Sequence, residues 1–207
     1  MVQIHGNKKL EGVTLAQVDE KRQPIPGTEQ YIPCDTLLLS VGLLPENELS
    51  AGAGVALSPV TSGPVVGEDL STSIPGVFAC GNVLHVHDLV DFVTAESARA
   101  GKAAAAYCAG ISLKNENVLD IKNGNLVGYT VPQHIHMDAE FKAVDVFFRV
   151  RAICHQSKIV VKDENGTQIA AFNREHLAPG EMENIKLPRV LLEKAVGSIT
   201  VSIEEEK

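Results

Sequence analysis

The sequence of 207 residues predicts an α/β region followed by a small all-β region, with the change near residue 120. In the first region, the continuous apolar run at 37–41 is typical of a strand that is buried on both faces of a parallel sheet. In the second region, apolar residues alternate with other residues across 144–150, which is the period of a strand with one buried face. Aromatic residues make up only 4% of the chain, so the core must be largely aliphatic.

Within the α/β region, two short strands are predicted around a turn at Gly6, and residues 21–30 have the composition of a turn. After the buried strand at 37–41, the chain is irregular until a second short buried strand at 77–80. A helix is then predicted from about Val93 to Ala109, because Gly110 stops it. A stripe of small residues runs along this helix and would allow close packing against a neighbour: Ala95, Ala98, Gly101 and Ala105.

The asparagine-rich stretch at 111–125 is predicted to be a linker. Beyond it, the turn at 163–166 separates two alternating segments and predicts a hairpin. Apolar residues alternate with other residues again at 199–203. Several short strands with turn signals between them indicate a small sandwich or barrel.

Composition and charge exclude several classes of function. The net charge is −8, and neither half of the chain has a basic stripe, which argues against binding to nucleic acid or to an anionic membrane. No apolar run approaches the roughly 18 residues of a membrane span, and no signal peptide is recognisable at the N-terminus. Four scattered cysteines indicate small buried thiols in a reducing compartment, so a cytoplasmic protein is expected.

The most specific motif is the segment STSIPGVFACGN at 71–82. A turn leads into a short apolar strand, and Gly81 ends the strand. The side chain of Asn82 follows, and the predicted helix comes next along the chain.

This segment resembles the second FAD fingerprint of the pyridine nucleotide-disulfide oxidoreductases, flavoproteins with two dinucleotide-binding domains. The resemblance covers about residues 1–110 and is best for the thioredoxin-reductase-like branch, since no dimerisation domain of the glutathione-reductase type follows. It implies that 1–42 is the tail of an NAD(P)-binding domain and that 43–117 is the C-terminal portion of an FAD-binding domain. Residues 118–207 would then be a small β-sandwich domain.

The chain departs from the family pattern in two ways. Asn82 stands where the family usually has aspartate, and neither Gly-x-Gly-x-x-Gly loop is present. We therefore expect the chain to be the C-terminal part of a longer FAD-dependent NAD(P)H oxidoreductase and to be inactive by itself. The alternative is a non-catalytic binding or assembly module that no longer binds the cofactor.

The resemblance also implies site residues. Gly81 and Asn82 would lie on the ribityl-phosphate side of FAD, while Val93 and Thr94 would offer backbone N–H groups to the flavin ring. FAD and NAD(P) would be cofactors of the parent protein, whose hydride transfer runs between nicotinamide and flavin. The expected partners are the remainder of the flavoprotein chain and companion redox subunits. No catalytic residue and no metal ligand is assigned.

Two histidine pairs have both a functional and a structural interpretation. His85, His87 and Asp88 follow the fingerprint directly and could bind a metal, but no third ligand is visible in the sequence, and a loop lining the flavin or substrate opening is favoured. His134 and His136 have the same spacing, and they are interpreted as surface residues of a strand.

Other candidates are also interpreted structurally. Cys80 could be a nucleophile, but a small buried hydrophobe is favoured because no activating cation is evident. Thr94 and Glu96 could be an active-site pair or ordinary residues of the first helical turn. The all-β region is either a docking module, as Phe147 and Arg149 on an outer strand face suggest, or an appendage that adds stability.

Overall fold

The structure, a computed structural model, describes residues 1–40, 42–111 and 117–205. The chain divides into two compact units, which comprise residues 1–42 and 43–207. The described residues contain no helix with both the length and the apolar character needed to cross a bilayer.

The first unit is a three-stranded antiparallel sheet in the order β1-β2-β3. Its strands are β1 (Gln3–His5), β2 (Gly12–Leu15) and β3 (Gln30–Pro33). The predicted pair of strands is confirmed, and Gly6 in the connecting turn has a φ of +117°. A Cβ atom at this position would lie 2.0 Å from the Lys9 carbonyl oxygen, so the turn requires glycine. The third strand was not predicted from the sequence.

The prediction of a buried strand at 37–41 is wrong for residues 37–40, and Val41 lies outside the described residues. The segment is not a strand, and the side chains of Leu38 and Leu39 are 90% and 63% exposed. A strand that is buried on both faces needs a hydrogen-bonded neighbour on each side. No described residue of this unit pairs with the segment, so its apolar side chains stay open to solvent.

The second unit begins with a largely irregular segment around the fingerprint. Its regular elements are α1 (Glu48–Gly52), a single 3₁₀ turn (Gly81–Val83) and α2 (Val90–Cys108). The predicted strand at 77–80 is reduced to one isolated bridge between Ser71 and Phe78. Only residues 70–72 lie alongside it, so the pairing on the second side that would complete a strand is not found among the described residues.

The remainder of the second unit consists of β-strands and one short helix: β4 (Val118–Asn123), β5 (Val127–Val131), β6 (His134–His136), β7 (Ala143–Val150), β8 (Cys154–Asp163), β9 (Gln168–Leu177), β10 (Glu183–Pro188), α3 (Arg189–Leu192) and β11 (Ile199–Glu205). They form a three-stranded sheet in the order β10-β7-β5 and a five-stranded sheet in the order β6-β4-β11-β8-β9. All neighbouring strands are antiparallel except β4 and β11.

Both sheets contribute to one hydrophobic core. Val146 and Phe148 of β7 are fully buried in it, together with Ile159 of β8 and Val201 of β11. The alternation across 144–150 therefore correctly predicts which face of β7 packs in the core. The predicted hairpin is also confirmed, since β8 and β9 pair in antiparallel register across the turn at 164–167.

The predicted linker at 111–125 is wrong beyond residue 117, and residues 112–116 lie outside the described part of the chain. Leu119 and Ile121 alternate with exposed residues and are buried in the core, so the segment forms β4. Of the described asparagines that suggested a linker, Asn117 precedes β4, Asn123 ends it and Asn125 lies in the following turn.

Candidate functional site

The fingerprint ends in a turn that Gly81 makes possible. Its φ is +71°, a conformation that other residues rarely adopt, and a Cβ atom there would lie 3.3 Å from Val93 Cγ1. The buried N–H of Gly81 donates a hydrogen bond of 2.5 Å to Glu96 Oε2. The end of the fingerprint is thus tied to the second turn of α2.

Asn82 is exposed directly after this turn. Its side-chain Oδ1 accepts a hydrogen bond of 3.2 Å from the backbone N–H of His87, and so it closes the loop that leads to α2. The amide of Asn82 is thereby held near the end of the fingerprint, while the rest of the side chain faces solvent.

Helix α2 begins at Val90, three residues earlier than predicted. The first turn of an α-helix leaves its N–H groups without partners inside the helix, and here those groups belong to residues 90–92. The expectation that Val93 and Thr94 offer free N–H groups therefore needs correction, since both lie beyond the first turn. Thr94 is exposed, and its hydroxyl donates a hydrogen bond of 3.0 Å to the carbonyl oxygen of Val90. Glu96 likewise lies in the second turn rather than the first.

Two histidines of the loop converge on the carboxylate of Glu96. His85 Nε2 lies 3.1 Å from Oε1, and His87 Nε2 lies 3.0 Å from Oε2. The side chains of all three residues are only 1% exposed. The third partner that the sequence did not reveal is therefore Glu96, nine and eleven residues further along the chain. Its position on the inner face of α2 is the only signal that could have indicated this role.

Burial and hydrogen bonding determine the charge of this cluster. Burial alone would favour a neutral carboxyl group, but hydrogen bonds from His85 and His87 hold the pKa of Glu96 at about 2. Burial lowers the pKa of His85 below its ordinary value, although Glu96 opposes this shift. The stable arrangement is therefore an ionised Glu96 that accepts hydrogen bonds from a neutral His85 and from His87.

Asp88 turns away from this cluster and binds the all-β region instead. Its Oδ1 accepts a hydrogen bond of 2.5 Å from Arg149 Nη2, and its Oδ2 accepts one of 2.6 Å from the Met182 N–H. Arg149 also donates to the carbonyl oxygens of Val86 at 3.1 Å and Gly180 at 2.6 Å. The loop after the fingerprint is thus fastened to β7 and to the turn before β10.

The outer face of β7 covers the same loop. The ring centroid of Phe147 lies 5.9 Å from that of His85, 6.0 Å from that of His87 and 5.5 Å from that of Phe92. Phe147 is therefore 94% buried, although it lies on the opposite face of β7 from the core. Within the second unit, the all-β region packs on residues 85–92.

The prediction that His134 and His136 both lie on the surface of a strand is wrong for His136. His136 is buried, and its Nδ1 lies 3.1 Å from Glu68 Oε2, which also accepts the His136 backbone N–H. The hydrogen bond to Glu68 raises the pKa of His136 above its ordinary value. His134 is 39% exposed and pairs with Asp120 at 2.9 Å, as expected for a surface strand.

The cysteines are all free thiols, but only Cys154 is buried. Cys80 and Cys34 are partly exposed, and Cys108 is exposed at the last turn of α2. The interpretation of Cys80 as a fully buried small residue is therefore wrong, because only one side of the short segment at 77–80 is covered by described residues.

A large cleft lies on another side of the second unit. It has a volume of about 1240 Å³ and is lined by residues of the fingerprint, the second half of α2 and the segment at 138–145. Its charged lining includes Arg99 and Lys102 on the helix. Neither Gly81 nor His85 lines this cleft, so it is separate from the end of the fingerprint.

Comparison with known proteins agrees with the motif. The chain is 30% identical over 82 residues to a protein of Castellaniella defragrans named probable ferredoxin reductase CtmF. That alignment covers 38% of this chain and 19% of the relative, so the chain spans only a small part of the relative's length. Residues 1–110, just over half of the chain, match the family described as pyridine nucleotide-disulphide oxidoreductase. The chain therefore belongs to the pyridine nucleotide-disulphide oxidoreductase family.

Proposed function

We propose that the chain is the C-terminal part of an FAD-dependent NAD(P)H oxidoreductase of the thioredoxin-reductase-like branch and supplies the second half of its FAD site. In such an enzyme, the bound flavin takes a hydride from the nicotinamide and passes electrons to an acceptor. The observation that carries the proposal is the fingerprint at 71–82, which continues through a glycine turn into α2 in a chain of this family.

The residues at the end of the fingerprint suit this role. Gly81 keeps the turn free of a side chain, and Asn82 offers an amide that can both donate to and accept from a ribityl hydroxyl. The N–H groups of the first turn of α2, residues 90–92, would favour the negative charge that gathers on the flavin ring upon reduction. Val93 and Thr94 follow this turn directly and stay in the proposed site as its neighbours.

The exposed apolar surface supports a partner that covers it. The small residues of the stripe along α2 are all exposed: Ala95, Ala98, Gly101 and Ala105. Several leucines before and within α1 are also exposed, by 63%, 88% and 91% of their surface: Leu43, Leu44 and Leu49. We infer that the remainder of the flavoprotein chain packs here, with companion redox subunits as further partners. Residues 1–42 would then complete an NAD(P)-binding domain. The four free thiols suit the cytoplasm.

One observation favours a second function. Asn82 lacks the charge of the usual aspartate, and its Oδ1 already accepts a hydrogen bond within the chain. This arrangement suits a binding or assembly module that has lost the cofactor. The two functions differ in one property that is easily measured, which is the presence of a tightly bound flavin.

The first experiment attaches an affinity tag to the C-terminus of the chromosomal gene, so that the protein is isolated at its natural length. We expect a mass well above 22.1 kDa, the visible absorption of oxidised flavin, and oxidation of NADH or NADPH. A colourless protein that binds no added FAD would contradict the enzyme and favour the binding module.

Variants of Asn82 then test the site. Asn82→Leu should weaken FAD binding about 5- to 150-fold, because it leaves polar groups of the ligand unpaired at a cost of about 1–3 kcal/mol. Asn82→Asp is the matched control and should bind FAD at least as well as the unchanged protein. Equal affinities of all three proteins would remove Asn82 from the site.

A further inference from the structure

We propose that His85, His87 and Glu96 form a binding site for one divalent transition-metal ion of the zinc class. The ligands are the Nε2 atoms of the two imidazoles and the carboxylate of Glu96. Imidazole and carboxylate groups together suit Zn²⁺, and two histidines with one glutamate are a known ligand set for a zinc ion with an open fourth position. The proposal is independent of FAD binding.

The spacing of the donor atoms suits a metal ion. A metal held about 2.0–2.2 Å from each ligand atom requires neighbouring ligand atoms roughly 3–3.5 Å apart. The two nitrogen–oxygen separations in the cluster are 3.1 Å and 3.0 Å, and one ligand atom from each of the three residues lies within 4.8 Å of the others. The ring centroids of His85 and His87 are 4.3 Å apart. The three residues therefore lie close enough to share one ion, whose bonds would replace the two hydrogen bonds to Glu96.

The hydrogen bonds in the described part of the chain do not fully satisfy the histidines. Both side chains are 1% exposed, yet His85 Nδ1 and His87 Nδ1 have no hydrogen-bond partner. Buried polar atoms are nearly always paired, so each of these Nδ1 atoms needs a further partner, such as a water molecule. A metal ion bound to Nε2 would leave Nδ1 protonated and able to donate a hydrogen bond to such a water.

The surrounding residues hold the ligands in place. Phe92 and Phe147 contact the His87 ring and exclude water from one side of the cluster. Asp88 is occupied by Arg149 and the Met182 N–H, so it does not compete as a ligand. Two histidines come from the loop, and the glutamate comes from the helix. A bound metal would therefore connect the loop after the fingerprint to α2.

A second cluster provides an internal comparison. Glu68, Asp69 and His136 also lie close enough together to share an ion, but this group has only one imidazole. Asp69 Oδ1 already accepts two hydrogen bonds from Ser71, at 3.0 Å and 2.6 Å. Since a zinc-class ion prefers nitrogen donors, we infer that it binds at the first cluster.

The test uses the purified protein after treatment with a chelator and titration with Zn²⁺ or with Co²⁺, whose visible absorption reports four-coordinate binding. His87→Gln is the main variant, because a glutamine amide can still donate to Glu96 but is a poor metal ligand. His85→Gln is a second variant of the same kind. His136→Gln is the matched control at the other cluster.

We expect one metal per chain in the unchanged protein and in the control, and a rise in Tm upon addition of Zn²⁺. Affinity should fall more than about 100-fold in His87→Gln, which exceeds the usual effect of losing an outer-shell partner. The proposal is wrong if the unchanged protein binds no metal, if both glutamine variants at His85 and His87 bind like the unchanged protein, or if only the control loses binding. The first of these outcomes does not require any variant to fold.

Discussion

Replacement of Arg149 by methionine should measure how firmly the all-β region holds the loop after the fingerprint. The guanidinium group of Arg149 donates to Asp88 Oδ1, to the Val86 carbonyl and to the Gly180 carbonyl, at 2.5, 3.1 and 2.6 Å. Methionine keeps most of the apolar stem and removes all three hydrogen bonds. The variant therefore isolates the polar contacts from the packing of the side chain.

The expected loss of stability in Arg149→Met follows from the three hydrogen bonds that are removed. Hydrogen bonds to a charged group contribute about 1.5–3 kcal/mol when they are well buried. Here the Arg149 side chain is 20% exposed and that of Asp88 is 37% exposed. Water therefore competes for the hydrogen bonds and screens the charges, which weakens each interaction. We assign roughly 1 kcal/mol to each contact, which gives a loss of about 3 kcal/mol in the free energy of unfolding. For a unit of this size, Tm should fall by about 6–12 °C.

The assay compares urea and thermal unfolding of Arg149→Met with those of Arg151→Met. Arg151 lies two residues further along the chain and is exposed, so its replacement should change stability by less than about 0.5 kcal/mol. The difference between the two variants is the quantity of interest, because both lose one positive charge. If Arg149→Met is as stable as Arg151→Met, the contacts of Arg149 do not fasten the loop and the reasoning fails.

Three further predictions concern other parts of the second unit. The hydrogen bond to Glu68 raises the pKa of His136 above its ordinary value of 6.5. The contact between the two side chains therefore stabilises the fold fully below pH 6.5, and this contribution is lost as the pH rises through the raised native pKa. The difference in unfolding free energy between the unchanged protein and His136→Gln should accordingly shrink at alkaline pH. Phe148→Ala should cost about 3–5 kcal/mol in urea unfolding, because Phe148 is fully buried in the shared core; a loss below 1 kcal/mol would contradict that placement. Gly101→Ala should stabilise the protein by about 0.5–1 kcal/mol, because an added methyl group meets no atom within 4 Å and glycine weakens a helix interior; a lower Tm would show that this face of α2 is already covered.

Local signals in the sequence predicted the β8–β9 hairpin and the core-facing residues of β7. The turn at 163–166 and the alternation on either side of it specify the β8–β9 hairpin, because its two strands are neighbours in the chain. The alternation across 144–150 likewise indicates which face of β7 packs in the core. In both cases, the pattern and the structure that it forms lie within about twenty residues of each other.

The apolar runs at 37–40 and 77–80 show where this reasoning fails. An apolar run indicates that a segment is suited to burial, but the strand forms only when neighbours pair with it on both sides. Leu38 is 90% exposed, and Phe78 makes only one isolated bridge, with Ser71. Their composition suits burial in a sheet, but the described residues of this chain provide too few pairing partners.

The cluster around Glu96 could not be predicted from spacing alone. The cluster His85, His87 and Asp88 suggested a metal site without a visible third ligand, and in the structure Asp88 binds Arg149 instead. Glu96 occupies that place because it lies on the buried face of α2, which is directed toward the loop. The two histidines and Glu96 are nine and eleven residues apart across a loop, so no local pattern in the sequence indicates this arrangement.

The loop at 84–89 has little regular structure of its own, yet elements from three parts of the chain fix it. Glu96 of α2 binds its histidines, Arg149 of β7 binds Asp88 at a separation of 61 residues, and the Met182 N–H binds the second oxygen of Asp88. Two of these three anchors belong to the all-β region. The all-β region therefore both stabilises the second unit and holds the loop that adjoins Gly81.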